Sequence, residues 1–257
     1  MITIEQVKQL RDNTSVSVMQ CRKALEEAGG DMEKALLILK KKSSDIAAKK
    51  SDRDASDGLI AIKSDGKKAG VVILNCETDF VAKNAEFIEL VNNLANTALN
   101  VGKAAAETEA NEKINLLIQK IGENMKLAKI EIVEGDNLGV YVHNGKSAVI
   151  TCLKGGTKEL AKDVAMHTAA MKPKFIKRED IAEVDKEAMR GVFAEEVAKS
   201  DKPEAIKQKI LASKIDTFFK EQILLEQPFV KNPELTVGAL VQKEGATVLR
   251  MIPYSLV

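Results

Sequence analysis

The sequence predicts an α+β protein with two duplicated lobes, each a small antiparallel sheet with helices on one face. Three observations support this fold class. Apolar residues recur at spacings of three or four through the first forty positions, which is typical of short helices. A hairpin pattern followed by an amphipathic helix occurs twice, within residues 58–98 and 138–171. An extra segment of helical periodicity, residues 174–232, interrupts the second copy.

Residues 1–40 predict a module of three short helices. Their apolar stripes are Ile4, Val7 and Leu10; Val18, Cys21, Leu25 and Ala28; and Met32, Ala35, Leu36 and Leu39. Thr14 or Ser15 is expected to end the first helix and cap the second. Gly29, Gly30 and Asp31 provide the corresponding stop and cap before the third.

A polar segment, residues 41–57, follows this module. Ile46 is its one large apolar residue, so the segment is either a linker or a solvated helix. Because Asp52, Asp54 and Asp57 accompany its lysines, the charge run does not favour RNA binding.

Two hairpins define the lobes, which we assign to residues 58–136 and to residues 137–173 with 233–257. The first turns at Asp65-Gly66 and the second at Asn144-Gly145, the strongest short hairpin signal. Amphipathic helices follow, with the stripes Phe87, Leu90, Val91, Leu94 and Ala98, and Leu160, Val164, His167 and Met171. Each copy ends in a second helix and a strand, at residues 114–133 and 237–252.

The two copies differ at the connection from the hairpin to its helix. The second copy uses the short polar segment 154–157, whereas the first uses a longer segment that contains Phe80 and Val81. A minimal turn does not require these bulky apolar residues, and loops at strand ends often carry binding groups. The comparison favours a partner-binding loop, and the alternative is that Phe80 and Val81 cap the core at a helix start.

The segment 174–232 predicts an inserted helical hairpin, or coiled-coil arm. Apolar residues lie on both of its halves, and Asp201 and Pro203 mark its turn: Met189, Val192, Phe193 and Val197, then Ile206, Ile210, Phe218, Ile223 and Leu224. Two uses remain open for such an arm, contact with a partner or service as a spacer.

Composition excludes several classes of function. A net charge of +1, 4% aromatic residues and no Trp argue against general nucleic-acid binding. No apolar run reaches membrane-spanning length and no leader is recognisable, so we expect a cytoplasmic protein. The three cysteines are widely separated in apolar contexts, which favours buried thiols over disulfides.

Motifs for covalent chemistry, metals or cofactors are absent from the sequence. It has no GxxxxGK[ST], GxSxG, HExxH or CxxC pattern, so we expect no direct nucleotide binding, no metal site and no cofactor. The alternative class is an enzyme that uses Cys76 or Cys152 with one of two histidines, His143 or His167. For His167, on an apolar helix face, a core position is favoured. A third class, an RNA-binding or chaperone-like adaptor, would depend on the lysines at 40–50 and on the arm.

In combination, these features resemble bacterial translation elongation factor Ts. Thr78, Asp79, Phe80 and Val81 match a Thr-Asp-Phe-Val segment of that family, and residues 10–14 and 21–25 match its first signature in spacing. Further matches are Met166-His167, residues 227–230 and residues 236–238. Ser15, Ser17, Gln20 and Ile73 depart from the family pattern.

The resemblance implies a guanine-nucleotide exchange factor that binds elongation factor Tu, disturbs its Mg²⁺ and phosphate site and promotes GDP release. It assigns partner binding and Mg²⁺ dislocation to Thr78, Asp79, Phe80 and Val81. The first forty residues resemble a ubiquitin-associated-type module that docks on the partner. Family matches for further partner contacts are Lys8, Arg11, Val18, Met19 and His143. For Val18 and Met19 a core position is the alternative, and for His143 a solvated turn.

Overall fold

The computed structural model describes residues 2–14, 16–200 and 202–256. It has a mixed α/β fold with small antiparallel sheets, which confirms the predicted class at that level. Ser15, a predicted cap, and Asp201, in the predicted arm turn, lie outside the described residues. The chain divides into two compact units. The first comprises the residues up to Glu134, Val142–Ser147 and the residues from Tyr254; the second comprises Gly135–Tyr141 and Ala148–Pro253.

The first unit begins with three helices, α1 (Ile4–Thr14), α2 (Val18–Glu27) and α3 (Met32–Lys50). They enclose a small core of Leu10, Val16, Cys21, Ala24, Leu25, Ala35 and Leu39. Two residues of the predicted stripes, Ile4 and Val18, are instead exposed. Periodicity fixes the spacing of a stripe, but the position of the neighbouring helix decides which of its residues are covered.

The caps of α2 and α3 explain where these helices begin. Ser17 caps α2 by accepting a hydrogen bond from the Gln20 amide, whereas Thr14, one of the two predicted caps, is the last residue of α1. Asp31 caps α3 as predicted and accepts from two amides of its first turn. Helix α3 continues to Lys50, so most of the predicted polar segment 41–57 is helical, and Ile46 packs on the core of the first lobe.

A three-stranded sheet follows, formed by β1 (Asp57–Ser64), β2 (Lys68–Cys76) and β3 (Met125–Glu134) in the order β1-β2-β3. Between β2 and β3 lie α4 (Asp79–Ala82), α5 (Ala85–Asn100) and α6 (Lys103–Ile121). The register places Asp57 opposite Cys76. All five residues of the predicted α5 stripe are buried, so this prediction is confirmed.

The second unit repeats this connectivity. Its strands β4 (Asn137–His143), β5 (Ser147–Lys154) and β8 (Thr247–Ser255) form the order β4-β5-β8, with α7 (Lys158–Met171) and α10 (Val237–Lys243) between β5 and β8. A short hairpin, β6 (Pro228–Phe229) with β7 (Asn232–Thr236), precedes α10. The core of this unit consists of Leu153, Leu160, Ala161, Val164, Leu224, Phe229, Val237, Val241 and Val248.

Two helices of the second unit, α8 (Glu183–Ala198) and α9 (Glu204–Lys220), pack against each other as a hairpin. Phe193 meets Phe218 edge to face with ring centroids 5.5 Å apart, and Lys214 pairs with Glu196. Leu224, which was predicted to belong to the arm, lies after α9 and is fully buried in the core of the unit. The chain has therefore left the hairpin at this position. The helical hairpin is therefore shorter than the predicted insert 174–232.

Candidate functional site

The connection from β2 to α5 forms a single helical turn. Thr78 has extended backbone angles, and its hydroxyl accepts a hydrogen bond from the Val81 amide at 3.4 Å, so it is the N-cap of α4. Asn84 ends the turn and caps α5 by accepting from the amides of Glu86 and Phe87. Two consecutive caps thus set the backbone path of residues 78–84, which we call the exchange segment.

A carboxylate from a distant part of the chain holds the start of the exchange segment. Thr78 donates from its amide to Glu123 Oε2 at 3.1 Å and from its hydroxyl to Glu123 Oε1 at 2.8 Å. The Cys76 thiol donates to the Thr78 carbonyl at 3.2 Å. Thr78 is therefore bonded through its amide, its carbonyl and its side chain.

The side chains of α4 point to opposite sides. Val81 and Ala82 are buried in the lobe core, whereas Phe80 is 82% exposed. A ring that capped the core would be covered, so the core-cap alternative is wrong for Phe80. For Val81 the structure shows the core position, and its side chain anchors the turn that displays Phe80.

Asp79 lies beside Phe80 on the surface. Its carboxylate pairs with the Lys83 ammonium at 2.6 Å, one helical turn later. This hydrogen bond raises the pKa of Lys83. The Lys83 side chain is largely exposed and the Asp79 side chain is half-exposed, so this pair contributes little to stability and the carboxylate can exchange partners.

The hairpin tip Val142–Ser147 belongs to the same unit as the exchange segment. Asn144 and Gly145 have φ of 51° and 69°, as the predicted Asn-Gly turn requires, and His143 beside them is exposed. The tip docks on β1: the Ile60 amide donates to the Gly145 carbonyl at 2.8 Å, and Lys146 forms an ion pair with Asp57. The hydrogen bond from Lys146 lowers the pKa of Asp57.

The remaining predicted contact residues are on the surface of α1 and α2. Lys8 and Arg11 are exposed on α1, and Val18 and Met19 are 53% and 69% exposed on the first turn of α2. The alternative core position for Val18 and Met19 is therefore wrong. Packing within the three-helix module therefore does not explain why these two adjacent positions are apolar.

The surroundings of the thiols do not support the alternative of an enzyme that uses Cys76 or Cys152 as a nucleophile. Cys21, Cys76 and Cys152 are all buried. Burial, followed by the nearby carboxylates of Asp57 and Glu123, raises the pKa of Cys76 to about 11. A thiol that stays protonated at neutral pH is a poor nucleophile. Within the described residues no cluster of three or more His, Cys, Asp or Glu side chains could hold a metal ion.

His167 is a buried core histidine, as the sequence favoured. The Val230 amide donates to its Nδ1 at 3.2 Å, so Nε2 carries the proton and donates to Gln227 Oε1 at 2.9 Å. The Gln227 side-chain amide donates to the Glu221 carbonyl, which fixes its orientation. Burial lowers the pKa of His167 below its usual value of 6.5.

Acidification is therefore expected to weaken the second unit. Between the ordinary pKa of 6.5 and the lowered folded value, the unfolded chain binds a proton that the folded chain does not, so stability falls as pH falls through this range. The ring signals of the two histidines, assigned with a His143→Asn variant, report both pKa values by nuclear magnetic resonance. A His167 pKa at or above 6.5 would contradict the expected effect of burial on this ring.

Sequence reasoning missed the groups that hold the exchange segment in place. Glu123 lies 45 residues beyond Thr78. Asn124 lies 47 residues beyond Glu77, and its backbone amide donates to Glu77 Oε1 at 2.5 Å. Gly122, with a φ of 90° at the end of α6, marks a helix end in the sequence. No local spacing links that helix end to Thr78.

Among the described residues, no helix is long and apolar enough to cross a membrane. Comparison with known proteins then identifies the family. The sequence model of the family described as Elongation factor TS matches residues 77–256. The family match includes the exchange segment and Glu123.

Curated relatives with the name Elongation factor Ts include the following three proteins. The protein of Aeromonas salmonicida (strain A449) is 43% identical over 96% of this chain and 88% of its own length. That of Hahella chejuensis (strain KCTC 2396) is 41% identical over 99% and 92%. That of Psychromonas ingrahamii (strain DSM 17664 / CCUG 51855 / 37) is 42% identical over 98% and 89%. The chain therefore belongs to the elongation factor Ts family, whose members are translation elongation factors and not enzymes.

Proposed function

We propose that this chain is a guanine-nucleotide exchange factor for elongation factor Tu and that it acts in the cytoplasm during translation elongation. The observation that carries the proposal is the display of Phe80. The 82% exposed ring is available to a partner, and the capped ends of the turn and the buried Val81 hold the backbone from which it projects. A preorganised apolar anchor is what a protein interface uses to gain affinity.

An exchange factor must bind the nucleotide-free partner more tightly than the GDP-bound partner. Linkage makes this preference reciprocal, so the exchange factor weakens GDP binding by the same factor. Some contact must therefore be incompatible with bound nucleotide. We assign that contact to Phe80, inserted between partner side chains, and to Asp79, which changes the charge balance beside the partner's Mg²⁺.

Small displacements are sufficient for this effect. Mg²⁺ requires near-ideal octahedral geometry, so a shift of its ligands is costly. Burial of a Phe side chain stabilises a complex by about 1.5 to 3 kcal/mol, which corresponds to roughly a tenfold to hundredfold change in an equilibrium constant. Thr78 and Val81 contribute by fixing the turn from which Phe80 projects.

Release of labelled GDP from elongation factor Tu, with and without this chain, tests the proposed function. We expect a concentration-dependent acceleration that saturates. An unchanged rate at saturating chain, with binding demonstrated separately, would refute nucleotide exchange as the function. The chain alone is expected to bind neither GDP nor GTP.

We further propose that α1 to α3 form a ubiquitin-associated-type docking module that contacts the GTPase domain of the partner. Its contact surface includes Lys8 and Arg11 on α1 and Val18 and Met19 at the start of α2, all of which are exposed. The exposed His143 at the hairpin tip supplies a further contact near the nucleotide region. The α8 and α9 hairpin is proposed as a coiled-coil arm for partner contact.

A double variant, Val18→Ser with Met19→Ser, is expected to bind elongation factor Tu about tenfold to hundredfold more weakly, because two exposed apolar side chains lose their burial in the complex. Isothermal titration calorimetry measures the change. The control is Val101→Ser, since Val101 is 71% exposed in the same unit and lies outside the proposed contacts. Equal affinities for the double variant and the control would contradict the docking role. For the proposed arm, the double variant Val192→Ser with Ile206→Ser is expected to bind elongation factor Tu more weakly than Val101→Ser in the same measurement.

A further inference from the structure

We infer that Glu123 is a positioning residue for nucleotide exchange, holding the exchange segment so that Phe80 projects at a fixed angle. The inference deepens the proposed function and rests on it. Both carboxylate oxygens of Glu123 are used on one residue: Oε2 accepts from the Thr78 amide at 3.1 Å and Oε1 from the Thr78 hydroxyl at 2.8 Å.

The two bonds fix the orientation of α4 at its first residue. The Thr78 hydroxyl that donates to Glu123 also accepts from the Val81 amide at 3.4 Å, so one side chain joins Glu123 to the cap of the turn. Helix α4 is only four residues long and cannot hold its own direction by internal hydrogen bonds. Its direction therefore depends on its anchors, which include Glu123 and the Cys76 thiol at the start and the buried Val81 and Ala82 within the turn.

The turn that carries Glu123 is itself held in place. The Lys50 ammonium donates to the Gly122 carbonyl at 2.6 Å, and the Asn124 side chain donates to the Arg53 carbonyl at 2.8 Å. The backbone amide of Asn124 donates to Oε1 of Glu77, the residue that precedes Thr78. Residues 122–124 thus connect the end of α3 to the start of the exchange segment, and Glu123 makes the contact that reaches Thr78.

Hydrogen exchange tests the positioning without reference to the proposed function. In Glu123→Ala, deuterium uptake in residues 77–84 is expected to become about tenfold faster, because two bonds that oppose local opening are lost. Glu86→Ala is the matched control: Glu86 also accepts two bonds in this unit, from the Lys120 ammonium, and does not contact Thr78. Uptake that is the same in Glu123→Ala as in the parent chain would overturn the inference.

A double-mutant cycle then tests the role in exchange. Glu123→Ala is expected to slow catalysed GDP release by about tenfold in the parent chain but to have almost no further effect in a Phe80→Ala background, because both changes disable the same contact. A merely structural role would give effects that multiply, and that result would overturn the inference. Glu86→Ala should release GDP at the parental rate.

The variant Glu123→Gln separates hydrogen bonding from charge and serves if Glu123→Ala fails to fold. Its amide oxygen can accept from the Thr78 amide and its amide nitrogen can donate to the Thr78 hydroxyl, so we expect it to recover most of the lost rate. A Glu123→Gln variant as slow as Glu123→Ala would assign the effect to lost charge and overturn the inference. A parent chain that never accelerates GDP release would refute the proposed function, and the hydrogen-exchange result would still decide whether Glu123 holds the segment.

Discussion

A Phe80→Ala variant is expected to accelerate GDP release from elongation factor Tu about tenfold to hundredfold less than the parent chain when Mg²⁺ is present, because the ring loses about 1.5 to 3 kcal/mol of burial in the complex. The fold should be unaffected, since Phe80 is 82% exposed and does not belong to the hydrophobic core of the first lobe. Stopped-flow fluorescence of labelled GDP gives the rate, and circular dichroism verifies the fold.

Two comparisons make this result specific. Val101→Ala removes a comparably exposed apolar side chain from the same unit and should leave the rate unchanged. Chelation of Mg²⁺ before mixing should reduce the deficit of Phe80→Ala, because the metal is then no longer there to be displaced. Asp79→Ala should act in the same direction but more weakly, since the Asp79 carboxylate is half-exposed and paired with Lys83. Full stimulation by a folded Phe80→Ala variant would contradict the insertion of this ring into the partner.

The largest expected effect on stability is that of Gly139→Ala, in β4. A Cβ atom at this position would lie 1.8 Å from the carbonyl oxygen of Ala161 in α7. The Cβ atom and the carbonyl oxygen are both fixed to the backbone, so the strand or the helix would have to move. We expect this movement to cost about 3 kcal/mol or more. Thermal unfolding followed by circular dichroism should show a transition that begins at a clearly lower temperature.

Gly191→Ala is the matched control for this substitution. Gly191 lies inside α8, and a Cβ there would meet no atom within 4 Å. Because Ala favours the helix over Gly, this change should stabilise α8 by about 0.5 to 1 kcal/mol. Equal unfolding behaviour of the two variants would contradict the close approach of β4 to α7.

Several local features were predictable because they depend on neighbouring residues. The Asn144-Gly145 turn needs two residues with positive φ, and the structure has 51° and 69° there. The α5 stripe extends over about three turns, from Phe87 to Ala98, which is long enough for its period to identify the buried face. Asp31 follows two glycines and precedes an apolar stripe, which is a start signal for a helix.

Other features depend on what packs against a residue, and local patterns do not contain that information. The pair Phe80 and Val81 occupies a four-residue helix, which is too short for a period to show which side chain is buried. Val18 continues the spacing of an apolar stripe and is nevertheless 53% exposed at the start of α2.

The sequence by itself determined the mixed α/β class, the repeated connectivity and the segment that carries Phe80, since each follows from periodicity, turn chemistry or the comparison of the two copies. Only the tertiary structure decided that Phe80 projects while Val81 anchors, and that Glu123 holds Thr78 from 45 residues away. The reason is physical: turns and helices are specified by neighbours along the chain, whereas burial and long-range hydrogen bonds are specified by neighbours in space.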